Sequence, residues 1–441
     1  MNNFTLNIPQ NSFRNLAIGW LLLAISSLII GGLLTILIVL SRTPIFQDII
    51  PWTDFFHTAI VVHVDLTVLV WFLAFAGLLW SLMTSRCLFC GKIALLLAAI
   101  GTLIISSAPF LGDGNPLMNN YIPVLQMPIF FIGLGIFALG FSILVIHSLL
   151  SYITSKNSKT VLEFGLFTGL VTALIAIIAF IWSYFGIPKD IEIGQYYYEL
   201  LFWGGGHILQ FTHTQLMLVL WLWLATVSGV KLSITPRLAI ILLALGMAPT
   251  LLTPLIYLTH NVNSPESLTA FTDLMKYGGG IAALPLGLII VLDVIRAALP
   301  SLKPERSALI ISIFFFAVGG IIGFLIHSSN VTIPAHYHAS IFAITIAFMG
   351  ITYHLMPKLG FKEITSKWAT WQPIIYGAGQ LMHVLGFAWS GGYGVQRKTA
   401  GAEQGLEGMQ QVAMGIMGLG GMIAIIGGVI FLMLVLMAMR K

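Results

Sequence analysis

Two histidines separated by one residue, His336 and His338, lie in the apolar segment IPAHYHASIFAITIAFMGITYHLMP, residues 333–357. Helical residues at i and i+2 stand about 200° apart around the axis. Such a pair cannot chelate one metal, but it can ligate two irons on opposite flanks of one helix. Two haems would then sit side by side within electron-transfer reach. The chain holds 11 histidines against 15 acidic and 20 basic side chains, and most of the histidines fall in apolar stretches. Ionisable groups in lipid are costly, so they pair, line cavities or bind something. For any single histidine the commoner explanation is a bond to a nearby carbonyl or hydroxyl. The case for ligands therefore rests on arrangement.

An earlier segment, PWTDFFHTAIVVHVDLTVLVWFLAF (51–75), offers His57 and His63. Their spacing turns them about 240° apart, so one haem cannot use both. His63 lies deeper and is the expected ligand; His57, near the water boundary, is expected to be solvated. Asp65 in the same span invites a bond to a haem-site group, a proton route, or an ordinary bond to a neighbouring helix. Farther on, the run WGGGH (203–207) presents His207 beside three glycines, which permit close approach by a macrocycle or another helix. His213, six residues later, falls off the His207 face. The run YLTHNVNSP (257–265) adds His260, with Thr259, Asn261 and Glu266 nearby as oxygen donors. Cys87 and Cys90 form a CxxC followed by Gly91, which lacks the histidine of a covalent haem-attachment motif. They are expected to be two ordinary thiols near a helix end.

The elements that must position these groups are membrane spans. The chain is 58% hydrophobic and 8% charged, whereas a water-soluble domain carries roughly 25% charged residues. Long apolar runs recur throughout, each able to cross a ~30 Å hydrocarbon core. The runs predict twelve spans, near 15–42, 53–84, 91–111, 122–151, 161–186, 196–229, 236–259, 269–298, 307–327, 333–356, 370–390 and 409–439. Lysine and arginine concentrate in the loops after even-numbered spans, from Arg86 and Lys92 to Lys362 and Lys367. The opposite side has only Arg42, Lys189, Lys276, Arg397 and Lys398. The positive-inside rule then puts both termini in the cytoplasm. The net charge of +5 reads as this topology, not as a nucleic-acid surface. The expected fold is an all-α polytopic membrane protein, one domain over 1–441, with no cleaved leader.

The run A-H-Y-H with its trailing G-x-x-Y-x-x-x-P resembles the tenth helix of the haem-copper oxidase superfamily, the catalytic subunit type of cytochrome c oxidases and nitric oxide reductases. It also falls on the tenth expected span. The resemblance implies His336 as ligand of a high-spin haem, and His338 with His63 as ligands of a low-spin haem. It implies His207 and His260 as ligands of a non-haem iron or copper ion, with Glu266, Asn261 or Thr259 as candidates to complete the set. Arg397 and Lys398, in SGGYGVQRKTAG, resemble the family's arginine pair that binds haem propionates, which suits cations at the membrane boundary.

Two departures bear on the reaction. The family usually has adjacent histidines on helix seven, where this chain has Thr259 and His260. Many oxygen-reducing members carry a tyrosine four residues after the helix-six histidine, and many nitric oxide reductases carry a glutamate; here the position is Phe211. Another oxidase group places its tyrosine on helix seven, and Tyr257 lies near that position at a shorter spacing. The implied function is a membrane-bound reductase of a diatomic gas in a bacterial cytoplasmic membrane, with nitric oxide favoured. The alternatives are a terminal oxidase reducing O2 to water and a non-catalytic dihaem electron carrier or gas sensor. Membrane lipid is one implied partner. The electron donor would be a smaller subunit with cytochrome c or copper, or else quinol; nucleic acid is not a partner.

Overall fold

The computed structural model describes residues 4–10, 12–45, 53–112, 114–156, 158–297 and 302–440. Pro51 and Trp52 of the second apolar segment lie outside the described residues. Among them, eleven helices are long and apolar enough to cross a membrane: Ser12–Arg42, Phe55–Met83, Leu88–Phe110, Pro128–Thr154, Val161–Gly186, Gln195–Val227, Pro236–Thr259, Pro265–Arg296, Pro304–Phe324, Thr332–Lys358 and Met409–Met439. The span expected at 370–390 forms the helix Trp368–Gly392. Its Gln372, Gln380, His383 and glycines make it the least apolar of the long helices, which is why it stands outside the eleven.

Proline and glycine account for most departures from the expected boundaries. The fourth span, expected from 122, starts at Pro128. Pro123 and Pro128 disfavour helix in the residues before them, and the chain there pairs Val124–Gln126 antiparallel with Asn115–Leu117. This short hairpin is the one exception to an all-helical chain among the described residues. The span expected from 269 begins at Pro265, behind a Ser264 side chain that accepts the Ser267 N–H. Pro249 lies in a 3₁₀ turn, Ala248–Leu252, that separates the helices Pro236–Met247 and Thr253–Thr259. Just beyond His63, residues Asp65–Val70 form a π-helical turn, a wide geometry found often at functional sites.

The contacts group the chain into two compact units. The first comprises Met1–Ser27, Val64–Thr226 and Lys231–Ala297; the second comprises Leu28–His63, Val227–Val230 and Ala298–Lys441. In the first unit, a Cβ at Gly101 would lie 2.6 Å from the Gly133 carbonyl, and one at Gly140 would lie 2.7 Å from that of Ala94. Small residues thus bring two helix backbones together, as is usual where lipid removes the hydrophobic drive for helix association. The second unit uses the same device between Trp368–Gly392 and Met409–Met439. A Cβ at Gly386 would lie 2.5 Å from Met417 N and 2.7 Å from Ala413 O.

Gly386→Val is therefore expected to cost about 1–3 kcal/mol by overpacking, seen as a lower thermal unfolding midpoint in detergent. Gly415→Ala, on the same helix pair with nothing within 4 Å of its Cβ position, should leave the midpoint unchanged or raise it. Equal losses in both variants would contradict the backbone contact.

Candidate functional site

In the second unit the helix Thr332–Lys358 carries His336 and His338. His336 Nδ1 donates to the Gly319 carbonyl at 2.7 Å. A Cβ at Gly323 would lie 2.8 Å from that Nδ1, so a glycine is needed beside the ring. His63 Nδ1 lies 3.0 Å from the Gly31 carbonyl and 3.1 Å from Thr35 Oγ1. A carbonyl that holds Nδ1–H fixes tautomer and ring orientation and makes the other nitrogen the coordinating one, as at most histidine-ligated metals. His338 packs edge-on to His383, 4.8 Å between centroids, and lies within electrostatic range of His63. Its own carbonyl accepts from Gln380 Nε2 at 3.2 Å. His63, His336 and His338 are all half-buried.

A cation that the sequence did not single out lies in the same unit. Arg42 is buried, and its Nε and Nη2 have no hydrogen-bond partner. Its guanidinium rests over Phe387 at 5.2 Å and within electrostatic range of Tyr337, the residue between the two histidines. A buried guanidinium without an anion is costly, and a carboxylate could satisfy it bidentately. Arg397 is half-buried and also within electrostatic range of Tyr337. Lys398 takes a left-handed φ of 63°, and its carbonyl accepts the His57 Nε2–H at 3.1 Å. His57 is thus a bonded histidine and not the solvated one expected. These oriented imidazoles and the unmatched buried cation fit haem, an iron macrocycle with anionic propionates.

The first unit holds the helix Gln195–Val227 with its WGGGH run. His207 Nδ1 donates to the Trp203 carbonyl at 2.8 Å, and Nε2 accepts from the Tyr121 hydroxyl at 2.9 Å. Asn119 Oδ1 accepts the N–H groups of Tyr121 and Ile122, which fixes the loop that delivers the phenol. Burial and the neighbouring Glu199 push the Tyr121 phenol well above its ordinary value. It therefore stays protonated and donates. The glycines admit aromatic rings: Gly206 faces Tyr121, Gly205 faces Phe180, and Gly204 faces Tyr257 and Phe271. The Tyr257 hydroxyl is bonded to Ser183 Oγ at 2.8 Å and donates to the Ala179 carbonyl at 3.2 Å.

Among the described residues no group of three or more His, Cys, Asp or Glu side chains could hold a metal ion. Both nitrogens of His207 are engaged, His260 caps the helix Thr253–Thr259 in extended conformation, and Glu266 is exposed in the first turn of the next helix. Nearby, His213 is buried with Nε2 unpartnered, edge-on to Phe72 at 4.7 Å. Asp65 is fully buried with neither oxygen hydrogen-bonded, so of the alternatives weighed for it the bond to a neighbouring helix is not made. A second correction concerns Cys87 and Cys90, which are joined by a disulfide and are not free thiols. A left-handed φ of 43° at Cys87 turns the chain so that the two sulfurs meet. His147 and His383 are bonded to the backbone carbonyls of Arg86 and Met417, the commoner arrangement for a single histidine.

Residues 15–430 match the protein family described as cytochrome C and quinol oxidase polypeptide I. An uncharacterized protein of Rickettsia prowazekii is 30% identical, over 95% of this chain and 94% of that protein. An uncharacterized protein of Aquifex aeolicus is 29% identical, over 80% of this chain and 88% of its own length. Among solved structures, a heme-copper terminal oxidase dimer is similar in fold, with a TM-score of 0.78 at 16% identity. The similarity covers 98% of this chain and 85% of the other.

Gly323→Ala should displace the His336 ring and selectively lower the high-spin haem signal in the optical spectrum of the purified protein. The bands of the low-spin haem that the resemblance implies at His63 and His338 should persist. Loss of both together, or of neither, would contradict this assignment.

Proposed function

Because the chain belongs to the cytochrome c and quinol oxidase polypeptide I family, and so is a membrane oxidoreductase of the haem-copper oxidase superfamily, we propose that it reduces a small diatomic gas, with nitric oxide favoured over dioxygen. It does so as one twelve-span domain of a bacterial cytoplasmic membrane, with both termini in the cytoplasm. His63 and His338 hold a low-spin haem, and His336 holds a high-spin one. Bound there, the haems supply one-electron transfer and a gas-binding iron. The chain's own part is orientation. Gly31 and Gly319 fix the rings of His63 and His336, and Arg42, Arg397 and Lys398 neutralise propionates. Ligation from one helix at His336 and His338 keeps the electron path short. The donor is a smaller subunit carrying cytochrome c or copper, or membrane quinol.

The observation that carries the preference for nitric oxide is Phe211. It is buried at the position where the resemblance puts an oxidase tyrosine, and it has no proton to give. Coupling two NO molecules needs no O–O bond cleavage, so that tyrosine is dispensable. Tyr257, the other oxidase candidate, is committed to Ser183 and Ala179. One observation favours dioxygen as a second reading: Tyr121 brings a phenol to His207 from outside the helix.

Anaerobic NO consumption and O2 consumption, each with the same chemical reductant, separate the readings. We expect NO turnover to exceed O2 turnover, and O2 reduction to water at far higher rates would overturn the preference. Tyr121→Phe refines the test. It should leave NO turnover within about threefold, whereas loss of a required proton donor typically costs about 10²–10⁴-fold. A loss of that size confined to O2 would establish the second reading.

A further inference from the structure

Cys87 and Cys90 lie in the segment RCLFCGK at the start of the helix Leu88–Ser107 and have no part in the function proposed above. They are bonded to each other, Cys87 is exposed and Cys90 is half-buried. Cys87 is the helix N-cap, and its φ of 43° is one that a non-glycine side chain adopts at a cost. Its Sγ accepts the Cys90 N–H at 3.3 Å. A thiolate at Cys87 would stand at the positive end of a 20-residue helix, with Arg86 preceding it and Lys92 five residues on. Both features lower a thiol's pKa and make it the better nucleophile.

The surroundings hold the loop whether or not the sulfurs are joined. The Arg86 carbonyl accepts the His147 Nε2–H, and its guanidinium donates to the Thr154 carbonyl at 3.2 Å. Both anchors belong to the helix Pro128–Thr154. Phe89, between the cysteines, is 71% exposed and offers an apolar contact to an approaching protein. Arg86 and Lys92 also mark this loop, by the positive-inside expectation, as cytoplasmic. Disulfides in that compartment are usually transient and redox-sensing.

We propose that Cys87 and Cys90 form a reversible dithiol–disulfide site that exchanges with a protein dithiol of the aqueous phase. The partner's thiolate attacks Cys87 Sγ, breaking the Cys87–Cys90 bond and forming a mixed disulfide, and Cys90 leaves as a thiolate that takes up a proton. The partner's second thiolate then attacks its own sulfur in the mixed disulfide. This releases Cys87 as a thiolate, which is protonated in turn. Two electrons and two protons pass to the pair, and the partner departs as a disulfide.

Maleimide mass-tagging of the intact, natively folded protein tests this, with thioredoxin as the dithiol probe and the haem spectrum as the check on folding. We expect no tag before thioredoxin treatment and two tags after it, with the disulfide re-formed by a small-molecule disulfide. In single variants, Cys87 (in Cys90→Ser) should alkylate about threefold faster at pH 7 than Cys90 (in Cys87→Ser), since about one unit of thiol pKa raises the thiolate fraction roughly eightfold and lowers its nucleophilicity about 2.5-fold. Two tags in untreated, air-oxidised protein would overturn the proposal. So would a disulfide that yields to thioredoxin only after denaturation, or equal alkylation rates for the two cysteines.

Discussion

An imidazole inside a membrane span has two nitrogens, and here one of them is regularly committed to a backbone carbonyl. His63, His207, His336 and His383 bond in this way to Gly31, Trp203, Gly319 and Met417. The constraint comes from the solvent. Hydrocarbon offers no hydrogen bonds, and an unmatched polar group there costs several kcal/mol. The carbonyl therefore settles the tautomer, and the occupant of the second nitrogen decides what each histidine can do. His63 and His336 have rings oriented as an iron ligand's would be, the role proposed for them above. In His207 the second nitrogen meets a phenol, and the ring becomes an acceptor held between two partners.

The same constraint gives meaning to the polar groups that break it. Arg42, Asp65 and His213 are buried with polar atoms that have no hydrogen-bond partner. For Arg42 the missing partner has an identifiable chemistry, because the cation lies over an aromatic ring and within electrostatic range of the candidate haem ligand His338. A propionate there would turn an unfavourable buried charge into a charge-assisted pair. Arg397 and Lys398, which the sequence already marked, then belong to a wider cationic rim and are not its only members.

What could be read from the sequence was what repeats locally. The i, i+2 spacing of His336 and His338 has its meaning from helical periodicity, and the helix Thr332–Lys358 carries both. Boundaries went wrong where proline intervened, as at 122–127. Partners far apart in the chain could not be read at all. Tyr121 and His207 are 86 residues apart, and His57 meets Lys398 across 341. No local signal distinguishes Tyr121 from the other tyrosines. Arg42 ends an apolar helix in the way any boundary charge does, and only burial sets it apart. The CxxC pair was visible, but its bonding depends on a left-handed residue that no propensity predicts for cysteine.

The WGGGH run shows how the local and distant parts combine. A residue four positions after His207 shares its helical face, so a tyrosine there would be the simplest way to give the histidine a phenol. Phe211 occupies that position, and the phenol arrives from the loop ahead of the Val124–Gln126 strand instead. This route needs space beside the helix, and Gly206 provides it, since a Cβ there would lie 2.5 Å from Tyr121 Cδ1. Gly204 and Gly205 admit Tyr257, Phe271 and Phe180 in the same manner. The three glycines thus accommodate a cage of rings that holds one phenol against one imidazole.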